Sequence, residues 1–594
     1  MKSRSALIQP TRTLVLGAFF LSLLTAALAK AQENRPRQAG AKPAAGASDR
    51  DPAIVFEDLT RQAGIDFVHR SAPEKKYILE SMSGGVAALD FDSDGWLDLY
   101  LVNSLTVRTA DRPETAPSAL YRNRGDGTFE NVSAKARVDQ VGWGVGVCVA
   151  DVDADGHRDL YVTAVGRNRL YRNLGDGTFE EVAEKLGIAA SGWSAGCGFA
   201  DYDRDGDLDL FVSRYLEMDL ENLPVFGEGK TCQYRGIAVQ CGPRGLPGTS
   251  DLLFRNDGGR FTEVGEKAGV RDPEGFFGLG IAWLDVDRDG WIDLYVANDS
   301  GPNFLYRNLA DGTFEEIAFP MGVAVSEDGG EQGVMGVAVG DYQNLGRFAL
   351  LVTNFSEEYN ALYADQGEYF TDVSFRSASA PSSLRYVGWG TAFFDPDNDG
   401  WLDLMVVNGH VYPQLDQAKL AASAKYRQPK LFYRNRGDGT FADLSSEVGA
   451  ALAEEKVSRG LAVGDFDNDG RLDVVINDLD GAPQLLMNRT RDAGHWLSVE
   501  LQGQGGNLDA IGAVVTVKAG KTRQSRLVQS GSSYLSQSDF RLHFGLGKET
   551  SVGEVEVVWP DATRSTQAVA GVDRVIRVVQ GSGASTSGAS NGAN

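Results

Sequence analysis

Aspartates at alternate positions are the residues of this chain best equipped for chemistry. The segment Asp90-Phe-Asp92-Ser-Asp94-Gly95-Trp-Leu-Asp98 sets four carboxylates within nine residues, around a glycine. The same spacing returns at Asp151, Asp153, Asp155 and Asp159, and at Asp201, Asp203, Asp205 and Asp209. It returns again at Asp285, Asp287, Asp289 and Asp293, at Asp395, Asp397, Asp399 and Asp403, and at Asp465, Asp467, Asp469 and Asp473. Four like charges this close repel strongly unless a cation neutralises them. Carboxylate oxygens in this number suit Ca2+, and without His or Cys they suit neither zinc nor copper. About six Ca2+ per chain are therefore expected, one for each intact copy. A further copy reads Asp341-Tyr-Gln343-Asn-Leu345-Gly346-Arg-Phe-Ala349; Leu and Ala stand at two ligand positions, so no tight ion is expected there.

The loops resemble the calcium loop of the EF-hand, in which alternate side chains ligate and a glycine makes the sharp turn. Here the flanking residues read as strands rather than helices. Small and apolar runs such as GGVAAL, GVGVCVA and LGIAWL precede the loops, and β-rich runs such as LDLYLVN and LDVVIN follow them. An apolar-apolar-x-Asn motif (LYRN at 120, for example) and a Phe-x-acid-apolar motif (FEEV at 179) each occur seven times, with a tight Gly-Asp-Gly type of turn between them. Four short strands per repeat make an all-β fold, a seven-bladed β-propeller. The chain opens on FEDL at 56 before any aspartate loop, and its last repeat ends at LLMN without such a unit. The strand around Phe56 is therefore expected to complete the last blade. Leu216 to Gly248 and Tyr412 to Pro429 are insertions, expected to form caps or binding loops.

At 594 residues the chain is too long for one core, and 71 glycines argue for many turns rather than helices. The formal charge of −25 makes general nucleic-acid binding unfavourable. Residues 1–31 read as a signal peptide: Lys2, Arg4 and Arg12, an apolar run from Leu14 to Ala29, and an Ala29-Lys30-Ala31 cleavage site. Its removal leaves no apolar stretch long enough to span a bilayer. Residues 32–52 are expected to be a flexible linker, 53–493 the propeller, 494–580 a small β domain and 581–594 a flexible tail. In an exported chain the cysteines oxidise, and Cys232 and Cys241 bracket a short insert suited to a local disulfide. Cys148 and Cys197 occupy similar places in neighbouring repeats; pairing and free buried thiols are both compatible with their spacing.

The repeats resemble the FG-GAP/VCBS repeats of integrin α-subunit propellers. Asp509-Ala-Ile-Gly-Ala513, GSSYLSQSD at 531–539, LHFGLG at 542–547 and VEVVWPD at 555–561 resemble the ASPIC/UnbV domain. The combination, over roughly residues 54–580, is similar to the cartilage acidic protein family and its bacterial relatives. Ala562-Thr563 follows Trp-Pro-Asp where that family usually carries glycine. The resemblance implies extracellular, calcium-binding proteins without an established general activity, although some relatives lie among enediyne biosynthesis proteins.

Arg124-Gly-Asp126 and Arg436-Gly-Asp438 fall in the repeat's own turn and are read as structural. His69, His157, His410, His495 and His543 show no metal spacing, and no catalytic set can be assembled. The expected function is that of a secreted or periplasmic calcium-binding module for an extracellular or periplasmic protein or glycan. The alternative is a propeller enzyme acting on a small molecule or glycan, for which His410, Glu327 and His69 would have to meet in one concave site.

Overall fold

The computed structural model describes residues 54–72, 76–139, 142–220, 223, 232–272, 274–417 and 425–582. The expected signal segment, the 32–52 linker and most of the 581–594 tail lie outside the described residues, as do parts of both insertions.

Strands dominate. Each repeat forms an antiparallel four-stranded unit, as in Trp143–Ala150, Asp159–Val165, Arg169–Asn173 and Phe179–Glu181. Among the described residues there are five such sheets in the ring and one eight-stranded sheet. The latter joins two four-stranded units where Asp293–Gly301 also pairs with Gln332–Gly340. The innermost strands are Val86–Leu89, Trp143–Ala150, Ser194–Ala200, Gly278–Leu284, Gln332–Gly340, Gly388–Phe394 and Ser458–Gly464. Each packs against the next, and the last packs against the first, so the units close on themselves as a β-propeller. Phe56–Asp58 pairs with Gln484–Asn488 and supplies the outer strand of the sheet that Ser458–Gly464 begins. This pairing ties the start of the ring to its end.

The C-terminal residues build two further sheets. Leu542–Gly547 and Arg574–Val579 flank His495–Gln502, while Val514–Ala519 is central to a four-stranded sheet with Thr522–Leu527, Glu554–Val558 and Arg564–Ala568. Their apolar faces do not form a separate core. Leu497, Ile511, Val515, Phe544 and Trp559 share one buried cluster with Val149, Leu160 and Leu208 of the ring.

A segment of this domain, Gln529 to Asp539, runs into the centre of the ring. Ser533 exchanges two backbone hydrogen bonds with Val337, both 2.8 Å. Val147 N donates to Leu535 O, Gln537 N to Val86 O and Asp539 N to Val463 O. Ser530 Oγ donates to Val149 O, and Thr391 N donates to Ser533 Oγ. Innermost strands carry unpaired backbone groups toward the axis, and this plug satisfies many of them. The fit explains two of the glycines in the inner runs. A Cβ on Gly85 would stand 2.3 Å from Leu535 O, and one on Gly198 would stand 2.4 Å from Ser530 O.

Both cysteine pairs are closed. Cys232 and Cys241 form the local disulfide. Cys148 and Cys197, for which the sequence left pairing and free thiols open, form a second one between adjacent innermost strands. The two strands abut at the ring axis, which brings the cysteine Cα atoms to 5.8 Å despite 49 residues of separation.

The turn at Trp559–Thr563 forms without glycine. Trp559 N donates to Thr563 O, and Ala562 adopts φ 62°. A left-handed alanine costs roughly 1–2 kcal/mol, and glycine would return part of this gain through its larger unfolded-state entropy. Ala562→Gly is therefore expected to stabilise the chain by about 0.5 kcal/mol. Denaturant unfolding checks the sign; a destabilised variant would mean that the turn does not carry this strain.

Candidate metal centres

Each aspartate loop joins an innermost strand to its neighbour. In the first, Asp90 accepts from the N–H of Asp94 (3.1 Å) and of Gly95 (2.9 Å). Residue four of the motif (Ser93, φ 58°) and the glycine (Gly95, φ 87°) take left-handed backbone, folding the loop back toward Asp90. Asp98 accepts from Phe91 N and, at 2.7 Å, from Asn123 N. Asn123 is the asparagine of the LYRN motif, so that motif's polar residue anchors the ninth loop position to the next strand. The second copy repeats these contacts: Gly156 N donates to Asp151, and Asn173 N donates to Asp159.

The folding-back gathers carboxylates. Oxygens of Asp90, Asp92 and Asp98 lie within 4.8 Å of one another, as do those of Asp151, Asp153 and Asp159, and of Asp201, Asp203 and Asp209. In two other loops the trio is Asp285, Asp287 and Asp289, and Asp395, Asp397 and Asp399. Three of the four aspartates thus converge in each of these five loops. Asp94, Asp155 and Asp205 stand outside their trios and accept from the N–H two residues on, at Trp96, His157 and Asp207. Asp293 and Asp403, outside the other two trios, accept from the N–H of Asn308 and Asn435. In the last loop, Asp465 accepts from Asp469 N and Gly470 N, and Asp473 from Phe466 N and Asn488 N.

Burial raises the first and ninth carboxyls of the intact loops, and neighbouring negative charges raise them further. Asp98 is pushed up to about 9, Asp293 to about 8 and Asp285 to about 6. Asp151, Asp201 and Asp465 are pushed up to about 7. Several oxygens lack any partner: Asp92 Oδ1, Asp201 Oδ1, Asp403 Oδ2 and Asp467 Oδ1 are buried without a hydrogen bond. Unpaired buried oxygens beside like charges are what a hard cation would complete, so the residues present fit Ca2+.

The decayed copy keeps the loop shape with only its first acid. Asp341 accepts from Leu345 N and Gly346 N at 2.8 Å each, and Leu345 is exposed. Its positive partner comes from elsewhere. Arg526 of the C-terminal domain is buried, and its charge acts on both Asp341 and Asp395. The same domain covers other loops. Asp509 accepts from Asp151 N (2.8 Å) and pairs with Arg158, and His543 Nε2 meets Asn398 Oδ1 at 2.7 Å. The sequence marked Asp509 only as part of a domain motif and gave no sign that Arg526 or His543 would face the loops.

The catalytic constellation does not assemble. His69 and His410 are fully buried, both lowered to about 3 by burial and then by the charge of Arg459. Glu327 is exposed, its N–H facing the hydroxyl of Tyr359. Neither His157 nor His495 belongs to the five acidic trios named above.

Residues 90–162, 151–212, 285–352 and 420–476 match the FG-GAP-like repeat, and residues 503–585 match the ASPIC and UnbV family. Human cartilage acidic protein 1 is 31% identical over 316 residues, 52% of this chain and 44% of that protein. The Mus musculus protein is 29% identical over 301 residues, 49% of this chain and 43% of its own. The match spans less than half the length of these relatives. Among solved structures, an Agrocybe aegerita lectin that recognises non-reducing terminal N-acetylglucosamine aligns over 74% of this chain and 94% of its own, at 15% identity and a TM-score of 0.36. A structure of BBS1N in complex with ARL6DN aligns over 72% and 98%, at 12% identity and a TM-score of 0.37. The chain is an FG-GAP-like repeat protein with a C-terminal ASPIC and UnbV domain, related over about half its length to cartilage acidic protein 1.

Proposed function

We propose that this chain is an exported propeller, stabilised by about six Ca2+, that acts as a binding or scaffold module for an extracellular or periplasmic protein or glycan. The observation that carries the calcium reading is the set of buried, partnerless aspartate oxygens beside like charges in the loops. Two disulfides support an oxidising compartment. No helix among the described residues is long and apolar enough to cross a membrane.

A binding rather than catalytic role rests on the placement of polar groups. His69 and His410 are buried and held neutral, whereas the two insertions meet each other: Val239 and Tyr412 share a small buried cluster, with Cys232, Tyr234 and Val411 packed on it. Such a ring offers its outer surface and its insertions to partners.

Metal analysis of the purified chain after dialysis is expected to return about six Ca2+, one per intact loop. Asp285→Ala should lower the count by one, while Asp341→Ala should leave it unchanged. Two or fewer ions per chain would overturn the reading. A binding role is tested by capture of periplasmic or extracellular proteins and glycans on the immobilised chain in calcium and in chelator; a chain that retains nothing specific in calcium, or that turns over a glycan, would favour the enzyme.

A further inference from the structure

A cavity of about 160 Å³ lies on the ring face opposite the aspartate loops. The strand Asp293–Gly301 begins at the fourth loop and runs away from it, and Asp299, near its far end, lines this cavity. None of the lining residues belongs to the aspartate motif. Gln240 and Cys241 come from the disulfide-bonded insertion, and Tyr412 from the other insertion. Gln240 Nε2 donates to Val411 O, just before the second insertion, and ties the first insertion to that wall.

Two carboxylates meet in the cavity. Gly333 lies between them: a Cβ there would stand 3.3 Å from Asp299 Oδ1 and 3.6 Å from Glu358 Oε2, so these oxygens are no more than about 7 Å apart. The hydroxyl of Tyr215 donates to Asp299 Oδ2 at 2.6 Å, Ser300 Oγ donates to Oδ1 at 2.9 Å, and Gly333 N donates to Glu358 Oε2 at 2.7 Å. Gln240 Oε1 is buried without a partner. The remaining wall includes the rings of Tyr215, Phe355 and Tyr412, and no Lys or Arg lines the cavity. The cation whose charge reaches both carboxylates, Arg244, is exposed and is engaged by Glu331 and by the carbonyl of Ser300, while the buried guanidinium of Arg459 stands behind Ser81 and Trp389 of the wall.

We infer that this cavity binds a small organic ammonium ion, its charge set against Asp299 and Glu358 and its alkyl body against the aromatic wall. Aromatic rings and carboxylates together attract an ammonium, whereas the excess of acceptors disfavours an anion. The volume admits an aliphatic amine or the side chain of a lysine, and both share the chemistry the site recognises.

Protonation gives the site a signature. Burial raises Asp299, against hydrogen bonds from Tyr215 and Ser300 and the charge of Arg244. Burial raises Glu358 to about 7, with the Gly333 N–H and Arg244 opposing and the charge of Asp299 adding. Tyr412, also facing Asp299, stays protonated throughout the working range. An ammonium needs the carboxylates ionised, so its affinity rises with pH. For a group titrating near 7 the gain from pH 6 to pH 8 is about tenfold.

The test is calorimetric titration of the full chain in millimolar calcium with n-butylammonium, with the tripeptide Ala-Lys-Ala and with 1-butanol. Butylammonium is expected to bind at pH 8 and about tenfold more weakly at pH 6. In Glu358→Gln its affinity should fall by tenfold or more, while 1-butanol should not bind to either chain. Binding of the peptide as well would identify a lysine side chain as an acceptable source. The proposal is overturned if neither amine binds at millimolar concentration, if 1-butanol binds as tightly, or if affinity does not rise with pH. The wild-type comparisons decide the matter even if Glu358→Gln does not fold.

Discussion

Chelating calcium is expected to lower the melting temperature of this chain by about 5 °C. Binding to the folded state alone adds RT ln(1 + [Ca]/Kd) per site. Extracellular modules have Kd values around 10⁻⁴ to 10⁻³ M, so millimolar calcium adds about 1 kcal/mol per site. Six such terms come to about 6 kcal/mol, a large fraction of a typical stability. Spread over the unfolding entropy of roughly 540 residues, that corresponds to about 5 °C. Asp285→Ala should lose about one sixth of it, and Asp341→Ala should show no calcium-dependent change. Superimposable melts with calcium and with chelator would mean that the loops are structural turns.

The pH response of the chelated chain provides a second reading of the same sites. Without an ion, Asp98 in the folded chain titrates near 9 and Asp293 near 8, both far above the unfolded value near 4, because burial disfavours their charged forms. A raised carboxyl holds its proton in the fold, so its stabilising contribution is complete below about pH 4 and is lost as pH climbs toward the folded value. The chelated chain should therefore melt higher at pH 5 than at pH 8. With calcium the trend reverses, since protons compete with the ion for the same oxygens. Parallel melts at the two pH values, with and without chelator, read the crossing directly.

The parts of this protein that repeat were legible in the sequence, and the parts that occur once were not. The loop spacing at Asp90 needed no tertiary knowledge, because all four aspartates fall within nine residues and the pattern recurs. Ring closure through Phe56 followed from the order of the motifs alone, and Phe56 pairs with Asn488. The contacts of Gln529 to Asp539 had no such signature. Val86 N donates to Ser536 Oγ across 450 residues, and the sequence marked the segment only as part of a domain motif. Arg526 likewise gave no signal, since its charge serves Asp341 and Asp395 from a different domain. The cysteine pair failed for a smaller reason. Cys148 lies three residues before its aspartate and Cys197 four, and the spacing alone does not tell that the two innermost strands bring their Cα atoms to 5.8 Å. The acidic cavity escaped because it is assembled from the ends of strands and from two insertions, where the repeat carries no information.

Truncating the plug at its tip is expected to be the most damaging single substitution at a position remote from the aspartate loops. Tyr534 is fully buried, its ring packs edge-on to Trp389 at 4.8 Å between centroids, and its hydroxyl donates to Met82 O at 2.8 Å. Arg459 stacks on the same Trp389, 3.7 Å from the ring centroid. Removing the ring would leave a cavity where the C-terminal segment, the tryptophan and the ring axis meet. An aromatic-to-alanine change in a core costs about 3–5 kcal/mol, because neighbours held on separate sheets collapse only partly into the space. Tyr534→Phe keeps the volume and removes only the hydrogen bond, so it should cost about 1–2 kcal/mol. The pair separates packing from polarity. Because the plug ties innermost strands of several sheets to the C-terminal domain, Tyr534→Ala should also expose the connection near residue 491 to protease, while Tyr534→Phe should not. Unfolding in denaturant together with limited proteolysis measures both effects. If alanine and phenylalanine variants unfold within about 1 kcal/mol of each other, the plug is a passenger in the ring rather than the pin that holds the two parts together.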